Sequence, residues 1–253
     1  MKHLSATSLA TYLECPAKWR QKKIVGLSEP TTGPLVVGTA LHAAMEQTLR
    51  RRLEGRPDCD ADRLIQAFDE SIDRSERSAR IKWGRDGRDQ AIHHGHESTL
   101  AIFDWTRDIQ PIAVEWPFSV PLLGGEPDDD GVPTPVEWTF DGRIDIVTLD
   151  GIGDLKSTAT AESWSQGRAR MERQPGAYDL CRVQDFPQVA PKLFFPVVAK
   201  DTYGVKTYPV RLTEQRRNSI KTVAMVAAKL IDRGYFPRGE NCRWCPLKKQ
   251  GGC

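Results

Sequence analysis

The side chains best suited to chemistry lie in the stretch from Phe140 to Thr158, which carries Asp145, Asp154 and Lys156. Two apolar-rich runs flank Asp150-Gly151 there. Asp-Gly between alternating runs predicts a two-residue hairpin turn, because a type I′ turn needs positive φ at both central positions. That turn pairs Leu149 with Ile152, Val147 with Asp154, and Asp145 with Lys156. Opposed residues share a face of the sheet, as do residues two apart on one strand. Asp145, Asp154 and Lys156 therefore converge on one patch, while Ile144, Ile146 and Leu155 turn towards a core. Carboxylates are hard oxygen ligands for Mg²⁺ or Mn²⁺. An ammonium beside them can hold a phosphate oxygen or a water. Together they can direct water at a phosphodiester. The competing reading is a surface hairpin with a cross-strand salt bridge of little energetic worth.

The elements that must position this patch follow from the rest of the pattern. A first helix is expected over 5–23, capped by Ser5 and interrupted at Cys15-Pro16, with Lys18, Arg20, Lys22 and Lys23 as a basic cluster. A second is expected over 36–53 and carries His42, whose neutral imidazole matters if the helix faces the carboxylates. Two or three helices fill 61–108, with His93, His94 and His96 as a small cluster that no acid or cysteine completes into a metal site. From Ile112 the period shortens to that of a strand, broken by Pro117 and Pro121, and Gly124 to Pro135 is an acidic loop. Val136 to Leu149 and Ile152 to Ser157 are the arms of the central hairpin. A helix over 162–184 is interrupted at Pro175-Gly176, between Gln174 and Tyr178. Two strands, 192–199 and 205–212, precede a last helix capped by Thr213 and stopped at Gly234.

The chain has 253 residues, 39% hydrophobic and 28% charged, with a net charge of +2. These values suit a water-soluble α/β protein. The longest apolar runs fall far below a membrane span, and no h-region follows Met1, so the cytoplasm is the expected compartment. So small a net charge means that any nucleic-acid surface must be local. Of six cysteines, Cys242, Cys245 and Cys253 crowd the end. Zinc and iron–sulfur clusters both want four ligands; Cys15, before a proline at a helix end, is the best candidate for the fourth. Cys59 and Cys181 read as plain thiols.

In this order the motifs resemble the RecB-like branch of the PD-(D/E)XK nucleases. They are most similar to the CRISPR-associated iron–sulfur exonucleases and the nuclease domains of bacterial recombination helicase–nucleases. The residues that carry the resemblance are Cys15-Pro16, Gly38 to His42, Gly142-Arg143-Ile144-Asp145, Asp154-Leu155-Lys156, Gln174 to Tyr178, and Cys242, Cys245 and Cys253. The resemblance implies one restriction-endonuclease-like α/β domain over 1–253, a mixed central sheet flanked by helices. Residues 1–110 would be a mainly helical N-terminal part and 111–212 the nuclease core. Residues 213–253 would be a helix and Cys tail that closes a cluster with Cys15. It implies a DNA nuclease, a single-strand exonuclease more than an endonuclease, with a helicase or recombinase as partner. His42, Asp145, Asp154 and the Leu155 carbonyl would hold Mg²⁺ or Mn²⁺. Lys156 would position water, and Gln174 and Tyr178 would orient the lysine and the strand. Cys15, Cys242, Cys245 and Cys253 would bind a [4Fe–4S] cluster, and Glu115 would stand behind the ligands as a supporting acid. Basic residues Lys18, Lys22, Arg168, Arg170 and Arg173 would track the strand, with Trp19 or Trp164 stacking on bases. The rival classes are a non-catalytic DNA-binding accessory subunit and a zinc-binding adaptor.

Overall fold

The computed structural model describes residues 1–57, 59–85, 87–123, 129–130, 137–240, 245 and 247. Among them one sheet holds seven strands: β1 (Lys2–Leu4), β2 (Ala113–Leu123), β3 (Trp138–Thr148), β4 (Gly151–Gly153), β5 (Lys156–Thr158), β6 (Lys192–Ala199) and β7 (Gly204–Arg211). The helices are α1 (Ala6–Glu14), α2 (Pro16–Lys23), α3 (Gly33–Leu53), α4 (Ala61–Ser78), α5 (Gly87–Thr106), α6 (Gln166–Met171), α7 (Gln174–Asp185) and α8 (Glu214–Asp232). Local signals account for their ends. Ser5, Asp60, Ser165 and Thr213 each accept a backbone N–H of the helix they cap. The helix expected over 5–23 is two helices, because Cys15 is extended at φ −158° and caps the second with Pro16 in its first turn.

The sheet lies between two helical layers. Helices α3, α4 and α5 cover one face, packing Leu41, Met45, Phe68 and Ile102 onto Val114, Ile146, Leu155 and Val198. Helices α1, α2, α6, α7 and α8 belong to the other cluster, with Phe140, Ile144, Val147 and Phe195 of the sheet. This is the expected restriction-endonuclease-like arrangement. Ile144 departs from expectation in packing with the second cluster, away from Ile146 and Leu155. No helix among the described residues is long and apolar enough to cross a membrane.

The register of β3 makes an opening. Strand β2 runs antiparallel along one whole edge of β3. Strands β1 and β4 must therefore share its other edge, β1 against 138–140 and β4 against 146–148. Among the described residues, no strand lies beside 141–145 there. Strands β4 and β5 both follow β6 in a single parallel register, Ile152 beside Leu193 and Lys156 beside Val197. Asp154 and Leu155 form the link between them, at the mouth of the opening.

Two expectations are corrected here. The hairpin turn is Leu149-Asp150, with Thr148 paired to Gly151 and Val147 to Ile152, two residues out from the predicted register. Gly151 is a strand residue at φ +145°, and a Cβ on it would lie 2.4 Å from the Lys192 carbonyl oxygen. It is glycine to let two backbones meet, not to make the turn. A shift of two keeps side-chain parity, so Asp145 and Asp154 stay on one patch. Second, Pro117 and Pro121 do not break β2, because β2 is an edge strand and a missing N–H can face outward. The acidic loop expected from Gly124 to Pro135 lies outside the described residues except at Asp129 and Asp130.

Candidate active site

The opening beside β3 gathers side chains from both helical layers. Asp145, 7% exposed, reaches across it, and its Oδ2 accepts the Leu155 N–H at 2.8 Å. His42, midway along α3, brings Nδ1 to 3.2 Å from the same oxygen. Asp154, 3% exposed, continues the β6 ladder through its N–H to the Phe194 carbonyl at 3.1 Å. Its Oδ1 accepts Tyr178 OH at 2.7 Å and Gln174 Nε2 at 3.2 Å. Both donors stand in the first turns of α7, one turn apart. Pro175 does not disrupt them, since it falls where the helix leaves N–H groups unused. Lys156 Nζ stands 2.5 Å from Asp154 Oδ2, yet no donor among the described residues is aligned for a hydrogen bond to that buried oxygen.

Glu115 completes the group. Residue 115 is level with Asp145 in the β2–β3 register and sits at φ +49°, in the left-handed region that a non-glycine residue rarely occupies within a strand. Its carboxylate, expected behind the ligands, joins them: donor atoms of His42, Glu115 and Asp145 all lie within 4.8 Å of one another. They open into a cleft of about 380 Å³ bounded by Pro34, Leu35, Gly38 and Thr39. An acid in the strand ahead of the hairpin was the one signal in the sequence. The backbone twist that turns it inward left no trace there.

Electrostatics make the group a receptor for positive charge. Burial, then the charges of Asp154 and Glu115, push the Asp145 carboxyl well above its ordinary value, against the Leu155 N–H and Lys156. Burial and Glu46 raise Glu115, partly offset by Arg143, 3.4 Å away. Burial lowers His42, although 34% of its side chain is open; Lys156 adds to this, while Asp154 and the neighbouring Leu155 carbonyl oppose it. Burial, then Asp154, raises Tyr178 well above the usual phenol value, so it remains a donor. Two crowded carboxylates, a neutral imidazole and a backbone carbonyl fit a hard divalent cation, with the Lys156 ammonium against Asp154 beside them.

Other expected site residues fare differently. Cys15 is buried between α1 and α2, where its sulfur accepts the N–H of Lys18 and of Gly239, each at 3.3 Å. A Cβ at Gly239 would lie 2.5 Å from the Glu14 carbonyl oxygen, so glycine permits this approach. Tyr12 OH donates to the Tyr235 carbonyl at 2.8 Å, and Phe236 stacks on Trp19. Cys245 lies within electrostatic reach of Lys18. Cys242 and Cys253 lie outside the described residues. Lys18 and Lys22 pair with Glu29 at 2.9 and 2.6 Å, which leaves them less free for phosphate. Trp19 and Trp164 are buried, Trp19 donating to Ser8 and Trp164 lying under the Arg168 guanidinium, so neither offers a face to a base. His94 meets Tyr203 and His96 meets Asp69; the histidine cluster is no metal group among the described residues.

The comparisons agree with this fold. The family model of the PD-(D/E)XK nuclease superfamily matches residues 3–250. A Eubacterium rectale protein described as a "putative exonuclease" has a similar fold, with TM-score 0.54 at 12% identity over 100% of this chain and 94% of that one. SSO0001 aligns over 92% of this chain and 93% of its own, at 11% identity and a TM-score of 0.36, too low to argue from. No curated protein matches the sequence.

Proposed function

The chain belongs to the PD-(D/E)XK nuclease superfamily, and from that premise we propose that it is a Mg²⁺- or Mn²⁺-dependent deoxyribonuclease that degrades DNA from single-stranded ends. The observation that carries this reading is the meeting of Asp145, Asp154, Lys156 and His42 at one opening in the sheet. His42, Glu115, Asp145, Asp154 and the Leu155 carbonyl would hold the ion. When bound, it polarises the scissile phosphate and makes water a better nucleophile at neutral pH.

The remaining work falls to protein groups. Lys156 holds the attacking water and faces the charge that builds on the phosphate oxygens. Asp154 fixes the ammonium, and Tyr178 with Gln174 keeps Asp154 from rotating away. His42, its pKa lowered, presents the neutral imidazole that a metal requires.

The reading extends to a single nuclease domain over the whole chain, working in the cytoplasm in DNA repair, recombination or CRISPR-linked processing beside a helicase or recombinase. Cys15, Cys242, Cys245 and Cys253 would hold a [4Fe–4S] cluster, as in the CRISPR-associated iron–sulfur exonucleases. Two N–H groups on the Cys15 sulfur support this, because a thiolate ligand gathers such donors. The test is digestion of labelled DNA, blocked at the 5′ or the 3′ end, with Mn²⁺. Wild type should cleave and Lys156→Ala and Asp154→Ala should not; equal cleavage by all three removes these residues from the mechanism. Anaerobically purified protein should be brown. A colourless, zinc-loaded protein would replace the cluster with zinc.

A further inference from the structure

Clefts open on two sides of the candidate site, one reaching His42 and Glu115 and the other Lys156 and Gln174, and their charges differ. On the α3–α4 side, a cleft of about 350 Å³ is lined by Arg74 and Arg143 but also by Glu46 and Glu115. On the other side, a cleft of about 460 Å³ runs from Lys156 and Gln174 between Thr7 on α1 and Arg168 on α6. It adjoins a further cleft of about 500 Å³ between Leu13 on α1 and Arg216 on α8, for Glu172 and Arg173 line both. The two adjoining clefts, taken as one groove, are lined by Lys156, Arg168, Arg173 and Arg216 against the single carboxylate of Glu172.

We propose that this α1–α6–α8 groove is the track of the DNA strand beyond the scissile phosphate, with Arg173 gripping a phosphate and Met171 meeting a base. The proposal rests on the nuclease reading and adds the surface on which the substrate lies. A chain of phosphates follows the positive wall, and its bases need an apolar partner. Arg173 is exposed at the start of α7, and its guanidinium has no ion-pair or hydrogen-bond partner among the described residues. Arg168 is committed in part to Trp164 and the Ser163 carbonyl, and Arg216 to the Arg170 carbonyl. Met171, 81% exposed at the end of α6, offers an unbranched apolar side chain on the groove's lip.

The test is binding of a fluorescent single-stranded oligothymidylate to full-length protein in Ca²⁺, followed by anisotropy at several salt concentrations. Arg173→Ala should weaken binding on the order of tenfold and lower the slope of log K against log[salt] by ~0.7, the value for one phosphate contact on a single strand. Met171→Ala should weaken binding with the slope unchanged. Arg74→Ala, on the acid-lined side, should leave both as in wild type. Wild-type affinity and slope in Arg173→Ala would overturn the track, as would losses confined to Arg74→Ala. Cleavage by wild type with no effect of Arg173→Ala sinks the groove alone. Binding that depends on Arg173 without metal-dependent cleavage keeps the groove and sinks the enzyme reading.

Discussion

The carboxylate opening and the Cys15 corner are built in opposite ways. At the opening, the participating groups stand on α3, β2, β3, the β4–β5 link, β5 and α7, so sheet register and helix phase aim them. At the corner, one sulfur at a helix junction is met by Gly239, 224 positions away along the chain. The first arrangement depends on local geometry that the core already enforces. The second depends on closing the chain upon itself. Variants at the opening should therefore lose chemistry and keep the fold, and variants at the corner should do the reverse.

The largest expected effect is at Lys156. Lys156→Ala should lower metal-dependent DNA cleavage by about 10³-fold, with a melting temperature within a few degrees of wild type by scanning fluorimetry. A parallel fall in melting temperature would break the contrast. Cys15→Ala strips two part-buried N–H groups of their acceptor, at about 1 kcal/mol each. At about 2–4 °C per kcal/mol for a chain of this size, the melting temperature should drop by several degrees, while cleavage per folded molecule in the cold changes little.

Glu115→Gln sharpens the contrast within the opening. It should weaken Mn²⁺ binding, measured by calorimetry, by about 10–100-fold with the fold retained. Unchanged affinity would return Glu115 to a supporting role. The smallest expected effect carries a sign. The folded-state pKa of Asp145 is raised, burial first and neighbouring acids next. Its contribution to stability is therefore full below the unfolded value of about 3.9 and fades as pH rises through the folded value. Asp145→Asn should raise the melting temperature of metal-free protein at neutral pH by a few degrees, and Mn²⁺ should no longer stabilise that variant.

Much of this was legible in the sequence because it follows from period and capping. Ser5 and Thr213 cap the helices they were expected to cap, and strand parity brought Asp145 to Asp154 even with the turn moved by two residues. A one-residue error would have parted them. What stayed hidden depended on contacts between distant segments. Nothing local shows that Trp19 and Trp164 are covered, that Glu29 occupies Lys18 and Lys22, or that Pro117 lies on a free edge. The positive φ of Glu115 is also invisible in its neighbours.

Asp145 also acts as a counterfeit strand. Its carboxylate takes the amide of Leu155 where β3 has no neighbour to offer a carbonyl. Any cation or proton that draws charge from that oxygen would loosen the amide, so the state of the carboxylate opening would be transmitted into the backbone between β4 and β5. A single nitrogen nucleus, that of Leu155, thereby becomes a gauge of what the centre holds.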